Sequence, residues 1–265
     1  MMACSSESNQ ISIREKVLFR LKNAVYSTLI SRANLKTTLS SGVSLRVEDY
    51  ADWIIYNEIF VNGEYRKAVE FSSSTIPNDR KANFVDLGAN VGFFTLYLLD
   101  VLRRKQSQSE FCIKAVEGSP KIFSKLQSRL TGQARPHERV DLYNGLIGER
   151  SGSGTLFEIG YHAMASMTPR RLSRSVSVPF LDFEGMCSDM DVIDLLKCDI
   201  EGAEEALLRN WKNVLQKTRC AVFEFHPQNC DTEMCVTMLN DVGLSKREIL
   251  RSAELSSVEL FWRHD

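Results

Sequence analysis

Residues 83–104 read NFVDLGANVGFFTLYLLDVLRR. Asn83–Leu87 has the length and apolar density of a buried strand, and Phe93–Arg104 reads as a helix. Only Gly88-Ala89-Asn90-Val91-Gly92 joins them. Glycine at 88 and 92 allows a tight turn and a close approach of ligand to backbone. The turn is not GxGxxG, because Asn90 stands where the middle glycine would be. The same alternation continues downstream. Phe111–Val116, Val140–Leu146, Val192–Ile200 and Cys220–Phe225 read as strands, and Ser119–Leu130, Glu201–Leu215 and Thr232–Val242 as helices. Thr155–Glu158 and Ser175–Phe180 add short strands, and Arg247–Leu250 with Val258–Trp262 form a closing pair. Strand–helix alternation over about 180 residues predicts an α/β fold, a doubly wound, mostly parallel sheet with helices on both faces.

Upstream of Ala82 the character changes, which divides the chain into a helical extension, 1–81, and an α/β domain, 82–265. Ile11–Leu35 places Ile13, Val17, Leu18, Leu21, Val25 and Leu29 at helical spacing. Arg14, Lys16, Arg20, Lys22, Arg32 and Lys36 accompany them, against the single acid Glu15. Such a helix packs on a domain with its basic face in water, or lies on a membrane surface. Asp49–Phe60 and Gly63–Phe71 predict two short helices, and Ser72–Lys81 a linker.

The whole chain has 265 residues, 43% of them hydrophobic, with 33 basic and 34 acidic residues and a net charge of −1. This composition supports a core and excludes global disorder. Charge balance argues against a nucleic-acid partner. The longest apolar run, Phe93–Leu99, is broken by Thr95 and falls far short of the ~20 residues of a membrane span. Seven cysteines make an odd count without a CxxC pair, and Cys112, Cys198 and Cys220 fall within strands. Met1–Gln10 is polar and lacks the apolar segment of a secretory signal. A reducing, cytoplasmic setting is expected, without zinc or a disulfide framework.

In an open α/β sheet, ligands sit beyond the carboxyl ends of the strands, near the switch in strand order. The chemistry therefore belongs to residues that follow each strand. Glu117-Gly118 ends the second strand, where a carboxylate can accept both hydroxyls of a ribose. The fourth long strand ends in Leu196-Lys197-Cys198-Asp199-Ile200-Glu201-Gly202-Ala203-Glu204, and the fifth in Phe223-Glu224-Phe225-His226. An acid in the first turn of a helix needs no function, because the macrodipole favours it. That reading covers Glu204 but not the convergence of Asp199, Glu201, Glu224 and His226 on one edge.

VDLGANVG at 85–92, Glu117, NGLIG at 144–148, Leu181-Asp182 and above all LKCDIEGAE at 196–204 resemble the FkbM-type S-adenosylmethionine-dependent methyltransferases. The resemblance covers about Asn83 to Pro227, in the family's order. It departs at Cys198, usually aliphatic, and at Phe180, usually threonine. It implies a seven-stranded methyltransferase fold and methyl transfer from S-adenosylmethionine to a hydroxyl of a sugar or natural product. On this basis Gly88, Ala89, Asn90 and Gly92 pass under the methionine moiety, and Asp86 orders the loop and reaches the ligand amine directly or through water. Glu117 with Gly118 takes the ribose, and Asn144 with its neighbours lines the adenine. An aliphatic hydroxyl is a poor nucleophile, so a base should assist. The candidates are Asp199, Glu201 and His226, with Lys197 as charge partner or, if desolvated, the base itself. A second mechanism has Asp199, Glu201 and Glu224 hold a Mg²⁺ ion that acidifies the acceptor. From other classes, a non-catalytic cofactor-binding subunit and a nicotinamide oxidoreductase are weighed. The intact strand ends disfavour the first, and the failed GxGxxG disfavours the second. The acceptor pocket is expected to involve Ser151–Ser175 and the N-terminal helices.

Overall fold

The structure, a computed structural model, describes residues 25–26, 28–30, 32–33, 35–77, 80–105, 110–159, 165–166 and 173–264. Its centre is a seven-stranded sheet. In chain order the strands are β3 (Ala82–Leu87), β4 (Phe111–Glu117), β5 (Glu138–Asn144), β9 (Leu195–Cys198), β10 (Cys220–Phe225), β11 (Lys246–Ser252) and β12 (Ser257–Trp262). In space they run β11-β12-β10-β9-β3-β4-β5. The five from β5 to β10 are parallel, and β12 is antiparallel to both β10 and β11. β3, β4 and β9 are buried along their whole length. This is why they read as near-continuous apolar runs rather than alternating ones. The order of travel reverses between β3 and β9, which makes their carboxyl ends the switch point.

Alternation along β3 splits the core in two. Phe84 faces a cluster with Phe93, Leu96 and Leu99 of α3 (Phe93–Lys105) and Leu126 of α4 (Pro120–Leu130). Val85 and Leu87 face a second cluster with Phe183 of α5 (Phe183–Met186) and Leu207 of α6 (Glu204–Asn210). Val214 of α7 (Lys212–Gln216) and Leu239 of α8 (Thr232–Asp241) complete that second layer. Ser119 caps α4 by accepting from the Ile122 N–H, with Pro120 at its start, a favoured helix opening. Arg103 of α3 and Glu138 of β5 form a buried bidentate pair, Nε to Oε1 at 2.8 Å and NH2 to Oε2 at 2.6 Å.

The extension does not stand apart. A hairpin of β1 (Leu35–Thr38) and β2 (Ser44–Val47) leads to α1 (Tyr50–Tyr56), a π-helical turn over Asn57–Val61, and α2 (Arg66–Ser74). Val43, Leu45, Val47, Ile59, Ala68 and Val69 belong to the same core as Phe84 and Phe93. The hairpin escaped the sequence reading because β1 is exposed throughout and carries no alternating signal. The basic helix expected over Ile11–Leu35 lies largely outside the described residues; of it, 25–26, 28–30 and 32–33 are helical. The expected linker is part helix, since α2 runs through Ser74. A small antiparallel sheet, β7 (Ala165–Ser166), β6 (Ser153–Ile159) and β8 (Ser173–Pro179), follows β5.

Two boundaries are corrected where chemistry is at stake. β9 stops at Cys198, not Ile200. The helix expected from Glu201 starts at Glu204 and breaks into α6 and α7 around Trp211. Between them Glu201 takes a left-handed conformation, φ 54°, followed by Gly202 at φ 108°. The buried Glu204 carboxylate accepts the N–H groups of Ile200 and Gly202 at 3.3 and 2.9 Å. Glu204 thus closes the loop around itself, and Glu201 is turned out of the helix.

Candidate active site

The turn after β3 and the end of β9 are in contact at one atom. Gly88 has φ 72°, and a Cβ there would lie 1.7 Å from the Asp199 carbonyl oxygen. Only glycine lets these two ends meet. Asn90 is also left-handed, φ 50°, and its Oδ1 accepts from the Val91 N–H at 2.8 Å, a local bond that suits asparagine to this region. Its own N–H donates to Glu117 Oε2 at 2.9 Å, while the Ser119 N–H donates to Oε1 at 2.7 Å. The turn after β3 and the end of β4 are thereby tied through one buried carboxylate. Burial pushes Glu117 up to about 7, against the pull of those two backbone bonds. The Asn144 amide donates to the carbonyls of Glu117 and Gly118 at 2.8 and 3.1 Å. Beside Glu117 opens a cleft with walls from Ile122, Gly145, Leu146, Ile147 and Leu156. Asn144 holds the backbone of this cleft, and its neighbours line it.

Lys197 is buried beneath the turn. The β3–β9 register sets Asp86 beside Lys197, and Nζ lies 3.5 Å from Asp86 Oδ1 and 3.6 Å from Asp199 Oδ2. It also donates to the Gly88 carbonyl at 2.7 Å. Burial alone would lower this amine, but Asp86, Asp199 and Glu224 together raise it. Lys197 is therefore an ammonium that pins the turn, and the expectation that it could itself be the base is corrected. Asp86 is fully buried: Oδ2 accepts from Thr95 Oγ1 at 2.7 Å. It orders the loop from behind and lines neither the cleft nor the cavity over the β9 edge, so a ligand amine would be reached through the loop or a water rather than directly. Gly92 likewise turns its back on the cavities, against Leu126.

Asp199, Glu201 and His226 do converge, with one potential ligand atom from each lying within 4.8 Å of the others. Burial drives Asp199 well above the usual carboxylate range; Lys197 opposes this, and Glu224, Glu201 and Glu204 add to it. His226 Nε2 sits 3.9 Å from both Glu201 Oε2 and Glu224 Oε1. Glu224 is already committed: Oε1 accepts from Arg251 NH2 at 2.7 Å and Oε2 from the Tyr65 hydroxyl at 3.3 Å. The trio expected for a metal thus exchanges Glu224 for His226.

Over this edge lies a cavity of about 470 Å³. Ile54, Glu58 and Tyr65 from the extension form one wall, and Arg251 and Leu255 from the β11–β12 hairpin another. None of these five residues was anticipated, because none carries a motif and their neighbours in space are far away in sequence. Of the expected acceptor segment, Leu156 lines the cleft, and 160–164 and 167–172 fall outside the described residues. The cleft and the cavity share Gly88, Asn90, Asp199 and Glu201 as a common wall. Two molecules, one in each chamber, can therefore touch across Asp199.

The model of the Methyltransferase FkbM domain matches residues 86–244. Methyltransferase 1 of Beauveria bassiana (strain ARSEF 2860) is 30% identical over 176 residues, which are 58% of this chain and 65% of that protein. The chain thus spans less than two thirds of this relative's length. The crystal structure of methyltransferase FkbM from Methylobacillus flagellatus KT is similar over 92% of this chain and 60% of its own, at 13% identity and a TM-score of 0.49. The N-terminal domain of EvdMO1, in the presence of SAH and D-fucose, is similar over 97% of this chain and 100% of its own, at 12% identity and a TM-score of 0.43.

Proposed function

The chain belongs to the FkbM methyltransferase family, and we propose that it transfers a methyl group from S-adenosylmethionine to a hydroxyl of a sugar or natural-product small molecule. The observation that carries the reading is the wall shared by two chambers, with Asp199 in it. The cleft fits the cofactor's adenosine end. Its apolar sides suit a flat base, and Glu117 offers a buried carboxylate whose remaining lone pairs suit a ribose diol. Gly88 and Asn90 continue from that cleft toward the larger cavity, along the path the methionine end would follow. S-adenosylmethionine, when bound, supplies an electrophilic methyl group on a sulfonium. The protein's part is to align an acceptor oxygen with it and to take the oxygen's proton.

Asp199 is the first choice for that proton. Its burial makes it more basic than an ordinary carboxylate, and the Lys197 ammonium lies 3.6 Å from it as a charge partner. Glu201, turned into the cavity wall by its left-handed backbone, comes second, and His226 third. Residues 1–81 act as an extension that closes the acceptor side, in keeping with Ile54, Glu58 and Tyr65 in its wall. One observation favours a second reading, the convergence of Asp199, Glu201 and His226 within 4.8 Å. A divalent cation held there would acidify the acceptor hydroxyl. A nitrogen among the ligands suits a transition metal better than Mg²⁺.

The test is incubation of the full chain with methyl-labelled S-adenosylmethionine and fractionated cell extract, followed by mass spectrometry of the labelled product. An O-methylated small molecule is expected, from both untreated and chelator-treated protein. Loss of turnover with chelator would favour the metal reading. Cofactor binding with no S-adenosylhomocysteine formed in any fraction would leave a non-catalytic binding subunit.

A further inference from the structure

β11 and β12 pair in strict antiparallel register from Lys246↔Trp262 to Ile249↔Glu259, and then skip a residue, resuming at Arg251↔Val258. Leu250 is the extra residue of a β-bulge. In an unbroken strand residues 248 and 251 point to opposite faces. Here both reach the N-terminal extension: Glu248 pairs with Lys67 at 2.5 Å, and Arg251 Nε donates to Glu64 Oε1 at 2.9 Å. Bulges re-aim a side chain in this way, often beside active sites. The re-aimed guanidinium also donates from NH2 to Glu224 Oε1 at 2.7 Å and from NH1 to Ser256 Oγ at 3.1 Å. Two segments distant in sequence therefore converge with the hairpin's own Ser256 on one side chain, and Glu224 holds the hydroxyl of Tyr65, itself 5% exposed. The extension is also pinned separately, by Arg129 to Asp52 at 2.5 Å and Lys125 to Asp49 at 2.7 Å.

We infer that Arg251 is a positioning residue for the acceptor, placed by the Leu250 bulge to fasten the Glu64–Tyr65 wall to the end of β10. The inference rests on reading the larger cavity as the acceptor pocket. Arg251 holds the cavity at the width set by two carboxylates and keeps Glu224 engaged. The adenosine cleft shares none of these groups, so the adenosine contacts are separate from them. Lysine, a point charge without the planar fork, can hold one carboxylate but not both at this geometry.

The experiment compares Arg251→Met, Arg251→Lys and Glu64→Gln in the full chain, loaded with S-adenosylmethionine. Amide exchange over residues 58–65 should quicken about tenfold in Arg251→Met, with partial return in Arg251→Lys and an intermediate effect in Glu64→Gln. Cofactor affinity should stay within about twofold, as the cleft is untouched. With the acceptor found by the labelled-methyl assay, KM for it should rise about 10- to 100-fold, the scale of a misplaced substrate, with kcat changed far less. Unaltered exchange over 58–65 would overturn the inference. So would cofactor affinity falling in step with acceptor affinity, which marks general loosening. Quickened exchange with an unchanged acceptor KM would leave the fastening in place and sink the acceptor role. Should Arg251→Met fail to fold, Glu64→Gln breaks the same bond from the other side.

Discussion

Glu117 is where the cofactor assignment is most open to refutation. Its carboxyl is pushed by burial up to about 7, although both oxygens accept a backbone N–H. At pH 8 about nine tenths is ionised, and at pH 6 about one tenth. A ribose diol donates to the ionised form, so apparent affinity for S-adenosylmethionine should fall about tenfold between these conditions, or ~1.4 kcal/mol. Binding at pH 6 must then release nearly one proton, which calorimetry in two buffers of different ionisation enthalpy detects. Glu117→Gln removes the charge and sets an amide N–H₂ against one of two backbone donors. Affinity at pH 8 should drop by about 1.5–3 kcal/mol for a lost charge-assisted bond, and the pH dependence should vanish. The same raised pKa has a sign in stability. Between the ordinary value near 4.5 and about 7 the folded protein holds a proton that the unfolded chain has lost. Stability of the ligand-free protein therefore falls as pH rises through that window, with the deficit complete above 7. Unchanged affinity in the variant, or an unchanged pH profile, would remove Glu117 from the site.

Four further outcomes follow from the geometry. Gly88→Ala, with Cβ 1.7 Å from the Asp199 carbonyl oxygen, should abolish cofactor binding in calorimetry. Gly132→Ala, equally left-handed but with nothing within 4 Å, should cost only about 1 kcal/mol in thermal unfolding. Asp199→Asn should lower turnover by about 10²–10⁴-fold while cofactor affinity, measured by calorimetry, moves little; full turnover would pass the proton to Glu201 or His226. Burial raises the Glu138 carboxyl, but the Arg103 guanidinium and the Arg135 N–H and charge together hold it below its usual range. Its contribution is complete above about 4.5 and lost as pH falls through the lowered value. Glu138→Gln should accordingly cost about 3–5 kcal/mol near neutrality, as for a broken buried pair, and the gap in denaturant midpoint should close in acid.

The local patterns of the chain determined the sheet and half of the site. β3, β4 and β9 are apolar runs of strand length, and each ends in, or is followed at once by, a glycine or a carboxylate, so the fold and the positions of Gly88, Glu117 and Asp199 at strand ends were legible from residues a few positions apart. Family resemblance added the ordering of these pieces. What stayed hidden shares one physical cause. Glu201 reads as a helix start until Glu204 is seen to fold back on the loop and claim the N–H groups that a helix would use. Lys197 reads as a candidate base until register sets Asp86 beside it and fixes its proton. Glu58, Tyr65 and Arg251 carry no pattern, because the cavity they line is made by the docking of an extension and a hairpin nearly 200 residues apart. A bulge of one residue, which inverts which side chains face the cavity, depends on pairing between two strands and leaves no mark on either alone. Short-range spacing thus decided the cleft beside Glu117, and only long-range contact decided the larger cavity.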